Sequence, residues 1–171
     1  MKPPLLPSEV LRRVERLSRM HGMTVLGLAG SFALLSAGAR DVTGAVVGLL
    51  VAGAGALEYH GASLLHARLD GSRWLVASQL YLMGIVLAYV AYRIGRPDVA
   101  WMLPYMVGDA AEPIKEAARQ QGMSVEQMLA AAMDAFYLLV AALTVVYQGS
   151  MAIYYLRRRR PIAEALAEDA E

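Results

Sequence analysis

The chain has 171 residues, of which 57% are hydrophobic and only 18% are charged, whereas a typical soluble domain carries about 25% charged residues. This composition predicts a membrane protein and excludes most soluble classes. The 16 basic and 15 acidic residues leave a formal net charge of +1, so we expect no nucleic-acid partner. Because the chain has no cysteine, disulfides, thiolate metal sites and thiol nucleophiles are excluded.

A basic amphipathic helix is predicted over residues 8–20, with Ser8 as its cap and Pro7 directly before it. One face of this helix is apolar and carries Val10, Leu11, Val14 and Leu17. The opposite face carries most of the basic residues, which are Arg12, Arg13, Arg16 and Arg19. Such a helix either lies flat on the inner leaflet, with its arginines at lipid headgroups, or packs beneath the bundle as a topology anchor.

Four apolar segments are long enough to cross a bilayer, since about 20 apolar residues span a hydrocarbon core of about 30 Å. They are residues 22–39, 42–65, 74–92 and 135–156. Residues 37–39 also resemble a signal-peptidase site, but the basic segment before this span is too long for a secretory signal, so we expect the span to be retained. The stretch 101–108 is too short to span and contains Pro104, which favours an interfacial or re-entrant position.

The orientation follows from the basic residues of the loops. With both termini inside, 11 Lys and Arg residues face the cytoplasm and five face the outside. We therefore expect cytoplasmic termini and, as the location, the inner (plasma) membrane of a bacterium.

The loop 97–130 is predicted to be helical and to face the outside. Glu112 and Pro113 can open a helix, Gly122 can close it, and Ser124 with Gln127 forms a capping-box pattern. The helix that begins there is expected to continue into the last span. The loop has an excess of acidic residues and is either a solvated cap or oligomer contact, or a vestibule that concentrates cations.

The tail 157–171 follows the last span and is predicted to be cytoplasmic. It begins with four basic residues, Arg157, Arg158, Arg159 and Arg160. We expect them to fix the topology and to contact anionic lipid headgroups.

Small residues recur in the first two spans and predict a tight antiparallel hairpin, because close backbone approach drives helix packing in lipid. In the second span they recur at every fourth position, at Gly44, Gly48, Ala52 and Ala56. The first span has the same pattern at Ala29, Ala33 and Ala37. The spacing does not distinguish packing within one chain from packing between copies.

Polar residues inside the spans are the candidate functional residues, because each is costly in hydrocarbon. Helix geometry places Glu58, Gln79 and Gln148 about 6–9 Å above the inner edge of the core, with His60 slightly closer to the cytoplasm. They are interpreted either as interhelical hydrogen bonds or as a proton or cation site open to the cytoplasm.

No metal site, cofactor or catalytic residue is predicted. On their helix, Glu58 and His60, and likewise His60 and His66, point in directions too different to chelate one metal ion. A haem bridging His21 and His66 is conceivable, but both lie near the aqueous boundary. Since no nucleophile or metal constellation is recognisable, we do not expect an enzyme.

Together these features predict an all-α polytopic membrane protein. Its four spans form a bundle, with an N-terminal amphipathic helix and a helical extramembrane loop before the last span. The favoured function is a homo-oligomeric channel or transporter for a small cation or proton, because a chain this small encloses a pathway most easily by assembling copies. The alternative is a membrane-embedded adaptor or assembly protein that binds protein or lipid partners without transport.

Overall fold

The computed structural model describes residues 6–96, 99–105 and 111–168, and these ranges form an all-helical protein. The five α-helices are α1 (Pro7–Gly38), α2 (Val42–His66), α3 (Ser72–Arg93), α4 (Glu112–Gln120) and α5 (Val125–Glu168). A short 3₁₀ helix, Ala100–Tyr105, lies between α3 and α4. It covers the first part of the stretch 101–108, whose remaining residues lie outside the described ranges.

Four of these helices, α1, α2, α3 and α5, are long and apolar enough to cross a membrane. Their number agrees with the four predicted spans. The bounds of α2 and α3 agree with the predicted ranges to within two residues. By contrast, α1 has 32 residues and α5 has 44, so both continue well beyond their apolar segments.

The chain divides into two compact units. The first consists of Met1–Val86 and Thr144–Glu171, and therefore contains α1, α2, most of α3 and the C-terminal part of α5. The second, Leu87–Leu143, contains the end of α3, α4 and the start of α5.

The predicted separation of a surface helix over 8–20 from a first span over 22–39 is wrong, because α1 runs through both without a break. Gly22 lies within this continuous helix, at a point where α2 is so close that a side chain would not fit. The helix also starts earlier than predicted, with Leu6 rather than Ser8 as its cap and Pro7 in the first turn. Proline suits this position because a first-turn residue needs no backbone N–H.

The first part of the C-terminal tail, residues 157–168, continues α5 as a helix, which the sequence did not predict. Pro161 lies inside α5, although proline removes one helical hydrogen bond and usually kinks or ends a helix. Packing provides the compensation, because Ile162, the next residue, and Ala165, one turn further along, are both buried. They join an apolar cluster whose other members are Val10, Leu11, Val14, Leu65, Leu75 and Tyr155. The apolar face of residues 8–20 therefore contacts protein.

The α1–α2 hairpin is held by backbone approach at small residues. A side chain added at Gly48 would lie 2.9 Å from Ala33, and one added at Gly55 would lie 2.5 Å from the backbone of Leu26. The predicted hairpin is thus formed within one chain. Ala37 and Ala56, however, are exposed. Residues that face a neighbouring helix recur at alternating steps of three and four, so residues at a strict spacing of four gradually turn away from the contact.

The second unit confirms the predicted capping signals of the loop. Pro113 lies in the first turn of α4, and Gly122 adopts a positive φ of 65° after its end. Ser124 caps α5, since its hydroxyl accepts from the Gln127 backbone N–H at 3.1 Å while the Gln127 side chain accepts from the Ser124 N–H at 2.9 Å. The backbone of Gly95, just after α3, donates to Asp134 of α5 at 3.2 Å.

The hairpin contact can be tested with a pair of glycine variants. We expect Gly48→Leu to destabilise the protein by about 1–3 kcal/mol, because overpacking a tight contact costs that much. The control is Gly84→Leu, since an added side chain at Gly84 of α3 meets nothing within 4 Å. Thermal unfolding in detergent measures both, and equal melting temperatures for the two variants would contradict this packing.

Candidate functional site

The candidate site is built around the carboxylate of Glu58 on α2, which is only 2% exposed. The Tyr155 hydroxyl of α5 donates a hydrogen bond to Glu58 Oε1 at 2.7 Å. On the other side, Nδ1 of His21 from α1 lies 2.6 Å from Glu58 Oε2. Three apolar helices therefore each supply one ionisable or hydroxyl side chain, which we call the Glu58 cluster.

The close approach of α1 and α2 brings His21 within reach of the carboxylate. Next to His21, a side chain added at Gly22 would lie 2.8 Å from the Tyr59 backbone nitrogen and 2.9 Å from the Gly55 carbonyl oxygen. With glycine at both positions, the two backbones come together directly beside Glu58. The contact between His21 and Glu58 and the glycine contact thus occur at the same crossing point of α1 and α2.

The Glu58 cluster differs in exposure between its members. Tyr155 is 1% exposed, while the side chain of His21 is 17% exposed. His21 also packs against the ring of Tyr147, with centroids 5.9 Å apart. His21 is therefore the member of the cluster that links the buried carboxylate to the surface of the protein.

Chemically, the cluster can hold a proton in more than one place. The short contact between His21 and Glu58 carries a single proton, which belongs either to the imidazole or to the carboxyl group. A protonated histidine forms an ion pair with the carboxylate, whereas a neutral histidine forms a neutral hydrogen bond with a carboxylic acid or donates through its own N–H. Tyr155 donates in all of these forms, so uptake or release of a proton leaves the contacts intact.

A second histidine–glutamate pair joins the same two helices nearer the N-terminus of α1. His66 Nδ1 lies 2.7 Å from Glu15 Oε1, and the His66 side chain is 68% exposed. Here the glutamate is on α1 and the histidine on α2, the reverse of the buried pair. Because water screens this exposed pair, it is a weak contact and provides a natural control for the buried one.

The predicted partners of Glu58 differ from those observed. Gln79 and Gln148 are buried as expected, but among the described residues neither is hydrogen-bonded to Glu58, and the Oε1 atom of each has no partner. The Gln79 amide nitrogen lies 3.4 Å from the Ser78 hydroxyl. His60 is exposed and contacts the edge of Trp74, with centroids 5.3 Å apart. Whether these three residues take part in ion or proton binding stays a prediction.

Sequence reasoning missed His21 and Tyr155 as partners of Glu58. The register of the hairpin contained a signal for His21, because pairing Ala33 with Gly48 in antiparallel helices brings His21 close to Glu58. Tyr155 lies seven residues after Gln148, hence on the same helical face.

Within the described ranges, no group of three or more His, Asp or Glu side chains is arranged to hold a metal ion. Comparison of the chain with protein-family models, curated proteins and solved structures finds no match. The interpretation of the site therefore rests on its geometry.

The hydrogen bond from Tyr155 can be tested by removing one oxygen atom. Tyr155→Phe should destabilise the protein by about 1–3 kcal/mol, because a buried carboxylate oxygen loses its donor. Tyr154→Phe is the control, since the Tyr154 ring stacks with Arg158 at 3.7 Å and phenylalanine preserves a ring there. Equal effects on chemical or thermal unfolding would mean that the Tyr155 hydroxyl contributes nothing.

Proposed function

We propose that the chain is an integral membrane transporter or channel whose site, centred on Glu58, binds and releases protons. The observation that carries this proposal is the buried carboxylate whose two oxygens contact His21 and Tyr155. Ionisable side chains inside apolar helices are expensive and are typical of proton relays and ion pathways. A histidine next to a carboxyl group can pass a proton to it or take one from it, whereas a contact between amide groups cannot.

The geometry supports a proton over a larger cation. Both Glu58 oxygens are already engaged at 2.6 and 2.7 Å. A hard metal cation would require several oxygen ligands in an open cage, about six or more for calcium. A proton requires only a change of position within the existing contacts, so it is the cargo that this site accommodates without rearrangement.

The unpaired Oε1 atoms of Gln79 and Gln148 support a polar pathway through the bundle. A buried carbonyl without a donor costs about 1–3 kcal/mol, and ordered water usually satisfies such groups. Both residues belong to the same compact unit as the Glu58 cluster. We propose that water reaches these amides and supplies the connections by which protons approach and leave the cluster.

Proton flux is the direct test. Purified protein in liposomes with an internal pH-sensitive dye should show proton uptake, and Glu58→Gln should abolish it while the protein stays folded. The amide preserves the shape and can still contact Tyr155 and His21, but it cannot titrate. Glu15→Gln, which removes the carboxylate of the exposed pair, is the matched control and should retain the flux.

Equal flux through both glutamate variants would exclude Glu58 as the proton site. Absence of flux from the wild-type protein would instead favour the alternative function, a membrane adaptor. That alternative is supported by the exposed arginines of α1, which a protein or lipid partner could contact.

The proposed assembly is a homo-oligomer. Side chains added at Gly27 and Gly30 of α1 would meet nothing within 4 Å, so this glycine face has no partner within the described chain. Small residues favour close contacts between membrane helices. We expect Gly27→Leu to reduce the oligomer mass measured by light scattering in detergent, because a bulky side chain blocks close approach of a second copy; an unaltered mass would place the interface elsewhere.

The proposed orientation has both termini in the cytoplasm, in the inner membrane of a bacterium. Because the chain contains no cysteine, single introduced cysteines report topology without background. A cysteine at Gln120 should react with a membrane-impermeant reagent in intact cells, and a cysteine at Ala167 should react only after the cells are opened. The reverse pattern would invert the orientation.

A further inference from the structure

One face of α1 forms a groove that combines arginines with apolar side chains. The groove has a volume of about 440 Å³ and its lining includes Glu9, Arg12, Arg13, Arg16, Leu17 and Met20. These positions follow the spacing of a single helical face. The groove is open on one side rather than enclosed.

Among the described residues, the arginines of this groove have no partner. Within the described residues, Arg12, Arg13 and Arg16 are exposed and take part in no ion pair or hydrogen bond. The nearest candidate partner is Glu15, but its carboxylate contacts His66 instead. Glu9 accepts from the Leu6 backbone N–H at 3.4 Å. The groove therefore carries three positive charges against one negative charge.

The arginines at the other end of the chain differ in this respect. Arg160 pairs with Glu164 at 2.9 Å, and Arg158 lies over the ring of Tyr154. Arg159 lies near the carboxyl group of Asp70. Burial alone would raise the pKa of Asp70, but hydrogen bonds from Ser72 and the positive charges of Arg159 and Arg73 lower it below its usual value. These arginines already interact with the protein. Of the two basic regions, the groove on α1 is therefore the one whose charges have no partner among the described residues.

The apolar part of the groove indicates what kind of anion it fits. Leu17 and Met20 lie next to the arginines, and Met20 is exposed, as is Met23 one turn further along. A free phosphate ion would use the arginines and leave these side chains in water. A phospholipid would place its phosphate at the guanidinium groups and its acyl chain along the methionines.

We propose that this groove is a binding site for an anionic phospholipid, with Arg12, Arg13 and Arg16 contacting the headgroup and Leu17 and Met20 contacting the acyl chain. The site lies where the polar part of α1 meets its apolar part, which is the depth at which headgroups lie. It is independent of the proton site, because none of its residues belongs to the Glu58 cluster.

Native mass spectrometry of the full-length protein in neutral detergent tests this proposal. Phosphatidylglycerol should bind more tightly than phosphatidylcholine with the same acyl chains, and the difference should shrink as salt is added. Each arginine near a membrane surface contributes about fivefold to such binding, so replacing Arg12, Arg13 and Arg16 with Gln should weaken phosphatidylglycerol binding roughly 100-fold.

The charge-matched control replaces Arg40, Lys115 and Arg119 with Gln and should retain the binding. Equal affinity of the wild-type protein for the two lipids would overturn the proposal without any variant. Binding of glycerol phosphate as tight as that of the lipid would also overturn it, since the site would then recognise a soluble anion. A loss as large in the control as in the groove variant would assign the effect to overall charge.

Discussion

The carboxylate of Glu58 imposes the main constraint on the first unit of the structure. A buried ionisable group is tolerated only when it is hydrogen-bonded or paired, and leaving such a group without its partner costs about 1–3 kcal/mol or more. Here the two oxygens require donors from α1 and α5 at the same time. Any arrangement that separates these helices from α2 leaves the oxygens of Glu58 without these partners.

Two features of the sequence make that arrangement possible. Glycines at positions 22, 48 and 55 allow the backbones of α1 and α2 to touch, which brings His21 to the carboxylate. The apolar cluster at the other end of the unit holds Tyr155 together with Leu11 and Ile162, which fixes the position of α5. The polar contact thus lies between a tight glycine seam and a conventional hydrophobic core, and each supports its geometry.

Much of the fold could be predicted from the sequence, because hydrophobic length and capping are local signals. The four long apolar helices, the start of α4 at Glu112 and the capping box at Ser124 all follow from short stretches of residues. Burial of Glu58 was likewise expected. The continuation of α5 through Pro161 could not be predicted, because a favourable distant contact of Ile162 outweighs a local signal that ends helices.

The candidate site was predicted less well, for a related reason. The position of a residue along its helix gives its depth but does not say which helix faces contact one another. Gln79 and Gln148 were therefore placed beside Glu58 on depth alone. The partners that the structure supplies, His21 and Tyr155, depend on the rotation of α1 and α5 around their own axes. Glycine contacts with α2 set the rotation of α1, and the apolar cluster around Tyr155 and Ile162 sets that of α5.

The central claim is that Glu58 gains and loses a proton within a buried cluster. Difference infrared spectroscopy of the protein in lipid, recorded while the pH is stepped, observes this directly. A carboxylic-acid carbonyl band should appear on acidification and be absent in Glu58→Gln, while Glu15→Gln retains it. The same band present in Glu58→Gln, or a wild-type spectrum in which no buried carboxyl group titrates, would contradict the account.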